Sequence, residues 1–428
     1  MKTATIEQYL PDFKVSPKII QPSKTQDGNS LLVERSRKER PKASELTLER
    51  ISTAAEFSAL KNEWDEFHLG TQFPSPFLSW DYIDVWWDVY GDKGFDVKMY
   101  IARGANGNIV GAAPLMISRK GAFAGARSNF RHLSFLGGVG DQLSESLELP
   151  ALPGYEVSLG EATAELILRE FTGQWDVCYF YQVPKDSRST NAMLRRLAGA
   201  GIGIKTVISE KSPYRPVRGT WDETVKSRSS STREIISKTF TNPRNKYKHT
   251  RLTVGEHIGF ENAYEELVRL AELRWGSEAV RAFHTPEFVD FHWKLAPRLL
   301  EKGQMMFGII EIDGQYAGAV YDIIFNNIKW TYQLPWDPVF QHAKVGVTLS
   351  LWSVADAYER GLDAVDFLPG ESGFKDRWAT DHRILNTFEA ACPRSMGGTL
   401  FSLARGIDRL LKNKPKLNAA QEYESSIL

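Results

Sequence analysis

The chain has 428 residues, a formal net charge of zero, 42% apolar residues and two cysteines. That length spans about two or three domains. The apolar share suffices for packed cores, and the charge balance gives no overall reason to expect nucleic acid or an anionic membrane as partner. Cys178 and Cys392 cannot build a disulfide framework, which fits a reducing compartment. The first fifteen residues lack the apolar core of a secretory signal. No stretch approaches the about 20 apolar residues of a membrane span. The sequence therefore reads as that of a soluble cytoplasmic protein.

Residues 1–45 are polar and without lasting periodicity. Such a segment buries too little apolar surface to offset its ordering entropy and is expected to be disordered. The tail, 412–428, reads the same way. Between them the sequence predicts two α/β units, 46–210 and 211–411.

The first unit contains "SPFLSWDYIDVWWDVYG" (75–91) and "FDVKMYIARGANGNIVGAAPLMISRK" (95–120). The second contains "TPEFVDFHWKLAPRLLEKG" (285–303) and "QMMFGIIEIDGQYAGAVYDIIF" (304–325). Each opens on Ser/Thr-Pro, a hydroxyl cap with Pro in the first turn. Each helix carries apolar residues at helical spacing, Trp80, Ile83 and Trp87 in one and Phe288, Phe291 and Leu295 in the other. Each ends near a Gly, Gly91 or Gly303. Two apolar strands follow, joined by Gly104-Ala-Asn-Gly107 or Asp313-Gly314, which supply the positive φ of a hairpin. Both second strands begin with a Gly-Ala step, Gly111-Ala112 and Gly318-Ala319. We read two copies of one unit, continuing through strands at 175–184 and 204–208 in the first and at 328–336, 364–370 and 386–393 in the second. The expected architecture is α/β, with two mixed sheets flanked by helices.

Three stretches have the residue types for chemistry. In "FQHAKVGVTLSLWSVADAYERG" (340–361) a strand leads through Lys344 and Gly346 into a helix starting near Val347. Unpaired N–H groups and the dipole at a helix start favour phosphate, and Gly346 lets backbone approach it. Lys344 adds charge and Thr348 and Ser350 hydroxyls. The plainer alternative is a glycine loop with a helix cap. In "VDFLPGESGFKDRWATD" (365–381) a buried strand breaks at Pro369-Gly370 into charge. Asp366, within the apolar run, needs a partner if buried, and Lys375 and Arg377 are near in sequence. A structural ion pair and a substrate-binding role stand equal. The stretch 225–251 holds eight Lys or Arg against one acid. It reads as a solvated helical face bordering an anionic ligand rather than a nucleic-acid reader. Tyr247 lies within it and is expected to be exposed. The eight His residues lack ligand spacing, so no metal is expected. Cys178 and Cys392 read as small strand residues in a core.

"GVTLSLWSVADAYERGLDAVDFLPGESGFKDRWA" resembles the C-terminal signature of the CelD-like acetyltransferases, part of the GNAT superfamily: a Gly-led helix, a Gly-x-x-x-x-Asp-Phe strand, a Gly-acid turn and a Lys-x-x-Trp step. These fall on Gly346, Gly361 with Asp366-Phe367, Gly370-Glu371, and Lys375 with Trp378. "SPYRPVRGTWDE", "SKTFTNPRNKYKHT" and "ELRWG", with Arg274 and Trp275, also look like the family, as do "PSPFLSWDYIDVWW" and "VGAAPLMIS". The resemblance covers about residues 47–395.

It implies a tandem GNAT fold as in the Fem-type aminoacyltransferases, an acyl-CoA-like donor such as acetyl-CoA, no metal, and a small-molecule, saccharide or amine acceptor rather than a nucleic acid. It also implies work in polysaccharide or cell-envelope biosynthesis. The donor would lie across strand 328–336 and the helix start at Lys344, Val345, Gly346, Val347 and Thr348. Asp366 and Glu371 are candidates for base or acceptor contact and Tyr332 for proton donor. Lys375, Arg377, Trp378, Arg274 and Trp275 are candidates for substrate binding. Two departures bear on this. Gln341 stands five residues before Gly346, with Val347-Thr348 in place of a second small residue. Phe374 stands where the family commonly has Tyr, and a Phe cannot protonate a leaving thiolate. An aminoacyl-tRNA donor and a non-catalytic scaffold remain open alternatives.

Overall fold

A computed structural model of the chain describes residues 46–119, 130–138, 144–237, 249–276, 283, 285–370 and 375–412. The expected disorder at 1–45 and past 412, Tyr247 with much of the basic stretch, and Glu371 and Phe374 lie outside these.

Twelve strands form one sheet. They are β1 Thr47–Ile51, β2 Phe95–Arg103, β3 Ile109–Ser118, β4 His132–Phe135, β5 Val177–Pro184, β6 Lys205–Pro216, β7 His249–Thr253, β8 Met305–Ile312, β9 Gln315–Phe325, β10 Ile328–Gln333, β11 Ala364–Asp366 and β12 Asp381–Ala391. The order is β1-β2-β3-β4-β5-β12-β6-β11-β10-β9-β8-β7. Replace each strand by its counterpart six places away in sequence and the same order reads from the other edge. That symmetry is the duplication seen in topology. The last strand of each half crosses over: β12 lies between β5 and β6, and β6 lies between β12 and β11. The two expected sheets are thereby joined into one, and the division placed at 210/211 falls inside β6.

The repeat extends to single residues. Gly111 bridges Ala151, and Gly318 bridges Trp336. Ala112 N–H donates to the Pro150 carbonyl at 2.9 Å, and Ala319 N–H to that of Pro335 at 2.9 Å. A Cβ on Gly111 would stand 2.9 Å from the Leu159 side chain, and one on Gly318 2.7 Å from that of Val345. The two Gly-Ala steps are thus where a helix in each half presses onto the sheet. The hairpin at Asp313-Gly314 has φ of 50° and 79°, as a type I′ turn requires.

One detail of the punctuation differs. Ser75-Pro76 opens a short 3-10 turn, Pro76–Leu78, and the α-helix Trp80–Tyr90 is capped by Ser79, whose Oγ accepts from Tyr82 N–H. Thr285 caps the helix Pro286–Glu301 as expected, accepting from Phe288 N–H.

These two helices, one from each half, pack together through Tyr82 and Phe291, whose rings meet edge to face at 4.8 Å. Along the contact Lys302 pairs with Asp81, Arg298 with Asp84 at 2.7 Å, and Lys294 with Asp88 at 2.9 Å. Exposed pairs are individually weak and screened by salt. Reversing the middle one places a carboxylate against Asp84, so Arg298→Glu is expected to lower stability by about 1–2 kcal/mol in 20 mM salt and less in 1 M. Urea unfolding at the two salt concentrations checks this; an equal loss in both would show that charge does not join the halves.

Candidate functional site: the parting of β10 and β11

β10 and β11 run parallel with Ile328 opposite Ala364, Lys329 opposite Val365 and Trp330 opposite Asp366. There β11 ends. Leu368 (φ 58°) and Gly370 (φ 106°) turn the chain out of the sheet, while β10 runs on through an irregularity between Trp330 and Gln333. The strands therefore part at Asp366, opening the carboxyl end of a parallel pair, where α/β proteins place ligands.

Buried charge anchors this end. Lys329 Nζ is fully buried and donates to Asp356 Oδ2 at 2.5 Å and to the Ser353 carbonyl at 3.0 Å. Asp322 lies 3.9 Å away and accepts from Ser353 Oγ. The cluster ties β9 and β10 to the helix Val345–Glu359, whose start faces the parting.

That helix start is unlike its counterpart. In the first half, helix Glu156–Arg169 has Glu156 in its first turn; the carboxylate takes Gly154 N–H at 2.7 Å and pairs with Arg188 at 3.2 Å. An acid thus already occupies the place an anion would take. The buried segment Leu147–Ala151 further spans that mouth: Leu149 N–H donates to Thr190 Oγ1 at 3.1 Å, and Ser189 Oγ donates to the Leu149 carbonyl. In the second half no acid stands in the first turn. Lys344 is exposed, left-handed at φ 58°, and forms the cap. Gly346 and Val347 are half-buried. Val345 is buried beneath Gly318, and Thr348 is buried with its Oγ1 3.1 Å from His249 Nδ1. One flank is closed: a Cβ on Gly346 would stand 3.0 Å from Trp336 Nε1. Arg274 in turn stacks on the Trp336 ring at 4.7 Å. The small residue at 346 thus accommodates an indole on one side and leaves the helix start open on the other.

Asp366 is buried. Its carboxylate accepts from Arg383 Nη1 at 2.6 Å, Ser212 Oγ at 3.2 Å and Leu368 N–H at 2.9 Å. Burial pushes its pKa up, with Arg383 pulling the other way. Arg383 also stacks on Tyr214 at 4.8 Å and Trp330 at 5.8 Å. Lys375 Nζ donates to the carbonyls of Leu368 at 2.8 Å and Pro369 at 2.6 Å, holding the turn. Burial pushes the Lys375 pKa down, against the fields of Glu145, Asp366 and Glu210. The parting is therefore lined by carboxylates and cations from both halves. Glu145 and Glu210 come from the first, and Asp366, Lys375 and Arg383 from the second.

The sequence-predicted residues divide. Lys344, Val345, Gly346, Val347 and Thr348 do form the helix start, with Arg274 beside it through Trp336. Asp366 and Lys375 lie together at the parting. Trp378 is buried and stacks on Trp221 at 5.6 Å, in a core rather than on a substrate. Arg377 is exposed, and Trp275 is half-buried against the main core. Tyr332 is buried with its hydroxyl 3.3 Å from His292 Nε2, and burial pushes its pKa well up. Its phenol belongs to an aromatic interior with Phe77, Tyr321 and His292, not to the open side. The expected partners of Asp366 were Lys375 and Arg377; the one in contact is Arg383, with Ser212. Neither is close to Asp366 in sequence. Both arrive on β12 and β6, the strands that cross between the halves.

Residues 237–376 match the model of a family described as an acetyltransferase (GNAT) domain. The structure described as FemX superposes with a TM-score of 0.53 at 12% identity, over 83% of this chain and 99% of that one. A tandem GNAT protein from the clavulanic acid biosynthesis pathway gives a TM-score of 0.45 at 11% identity, over 82% and 100%. No functionally curated protein matches the sequence. At these identities the likeness is one of fold: a tandem GNAT-like α/β architecture. Among the described residues no cluster of three or more His, Cys, Asp or Glu could hold a metal, and no helix is long and apolar enough to cross a membrane.

Proposed function

We propose that this chain is a GNAT-type N-acyltransferase moving an acyl group from an acyl-CoA-like thioester to an amine acceptor. The second half, within 211–411, binds the donor, and the charged parting between the halves receives the acceptor. One observation carries the reading. The parallel pair β10/β11 opens beside a helix start free of first-turn acids, while the equivalent start in the first half is filled by Glu156.

In this reading Lys344 and the backbone around Gly346 hold the donor's anionic tail. Holding donor and acceptor together removes several kcal/mol of barrier, and backbone N–H groups freed where β10 leaves β11 face the developing oxyanion. Lys375 and Arg383 orient the acceptor. Asp366, with its oxygens taken, positions Arg383 and the turn; the amine's proton leaves through water. The CelD-like resemblance alone supports a place in polysaccharide or cell-envelope assembly and a cytoplasmic setting.

Calorimetry with acetyl-CoA and a longer acyl-CoA tests the donor. Both are expected to bind, and Lys344→Glu is expected to weaken binding by about tenfold or more, since it sets an acid where the dipole and the ligand both disfavour one. A second reading, a scaffold without turnover, is favoured by the indole of Trp336 closing one flank of Gly346. No heat with either thioester from folded protein would support it. Heat with an aminoacyl-tRNA instead would redirect the donor to that class.

A further inference from the structure

The helix Met396–Lys412 turns its apolar stripe away from the protein. Met396 is 85% exposed, Leu400 59% and Leu403 60%. Its rotation is set by the opposite face. Gly398 sits against the Cys392 backbone with its N–H on Ser395 Oγ at 2.8 Å. Phe401 is buried edge to face on Phe130 at 5.5 Å. Arg405 forks onto Glu389 at 2.6 and 2.8 Å. Positions 398, 401 and 405 lie on one side of a helix at 100° per residue, and 396, 400 and 403 on the other. A side chain on Gly397 or Gly398 would collide with Asp176 or with the chain at Cys392, so the helix has no room to roll its stripe inward.

The stripe has the spacing of a helix-pairing seam. Met396, Leu400, Leu403, Ile407 and Leu410 follow intervals of 4, 3, 4 and 3, ending before Lys414. This is the narrow alternation of a two-helix seam, not the broad apolar face of a helix lying in a membrane interface. The positions flanking it, Gly397, Thr399, Ala404 and Gly406, carry no charge. Identical copies can therefore approach without like charges facing each other. The neutral chain likewise offers no overall attraction to an anionic surface.

We propose that this helix is a self-association element: a second copy of the chain docks its own Met396–Leu403 stripe against it, seam to seam, in an isologous dimer. About two and a half heptads bury a modest area, so the dimer is expected to be concentration-dependent.

Sedimentation velocity of the full chain between about 1 and 100 µM tests this. The wild type is expected to move from one to two chain masses across the range. Leu400→Glu/Leu403→Glu is expected to stay at one, with circular dichroism and melting unchanged, because both side chains face solvent in the single chain. Ser402→Glu, exposed but off the seam, is expected to dimerise like the wild type. A monomer at 100 µM would overturn the proposal, as would a dimer indifferent to the double substitution. A monomer that sediments with phosphatidylglycerol vesicles would assign the stripe to a membrane. A monomer whose double variant melts lower would assign it to another segment of the same chain.

Discussion

Lys329→Met is expected to cost about 3–5 kcal/mol, the usual loss when one partner of a buried ion pair is removed. Lys329 has no exposed surface, and its ammonium is the nearest cation to both Asp356 and Asp322, themselves buried. Arg360 still reaches Asp356 at 2.8 Å, but Asp322 keeps only Ser353 Oγ. The loss should depend on pH. Burial pushes the Asp322 carboxyl up to about 6, with Lys329 pulling it back. An acid raised in the fold favours folding most when protonated, so its contribution declines as pH rises from about 4 to its folded value. Burial also acts on Asp356, but Lys329 and Arg360 outweigh it and hold that pKa below the usual carboxylate range. Its contribution is present at neutral pH and fades as pH falls through the folded value. Without Lys329 both carboxyls shift upward, and each then loses stability as it ionises. Urea unfolding of variant and wild type at pH 5 and pH 8 should show the wider gap at pH 8. A loss under 1 kcal/mol, or the same loss at both values, would mean that the cluster does not hold β10 to its helix.

What the sequence revealed follows from what is local. Caps, tight turns and Gly-Ala steps act within a few residues, and they disclosed the duplication: Asp313-Gly314 and Thr285-Pro286 do what their chemistry requires. The helix start at Lys344–Thr348 was legible for the same reason. Cross-strand neighbours were not. Arg383 meets Asp366 only because β6 lies between β11 and β12, and that order depends on both last strands crossing over. Nothing in 365–381 encodes it. Lys329 looked like an ordinary strand residue, because its partner Asp356 stands 27 positions later on a helix that reads as plain core. Trp378 was misplaced because a Trp at a charged turn suggests a ligand, whereas Trp221, from the segment after β6, was there to bury it.

The two halves share one backbone plan but differ in charge at the equivalent helix start. Duplication supplies two parallel partings; a carboxylate at 156 closes one to anions, and its absence from the first turn after Lys344 leaves the other open. The closed half is still needed. Its Glu145 and Glu210 face Lys375, and its β6 brings Ser212 to Asp366. One half thus contributes side chains to the site formed by the other, which accounts for keeping both.

Asp366→Asn then separates two roles for the central carboxylate. With Arg383, Ser212 and the Leu368 N–H on its oxygens, Asp366 has no free lone pair directed at a substrate amine. The amide keeps the shape and loses the charge that holds Arg383. A positioning loss of this kind is expected to lower turnover by about 10- to 100-fold. The acidic limb of the pH–rate profile should stay where it is in the wild type. Release of free thiol from acetyl-CoA, followed across a panel of primary amines between pH 5 and 9, reads both quantities. A general base would behave otherwise: removing one costs about 100- to 10,000-fold and takes its pH limb with it. A vanished limb with the fold intact would return Asp366 to the reaction itself, and a wild-type rate would remove it from the site altogether.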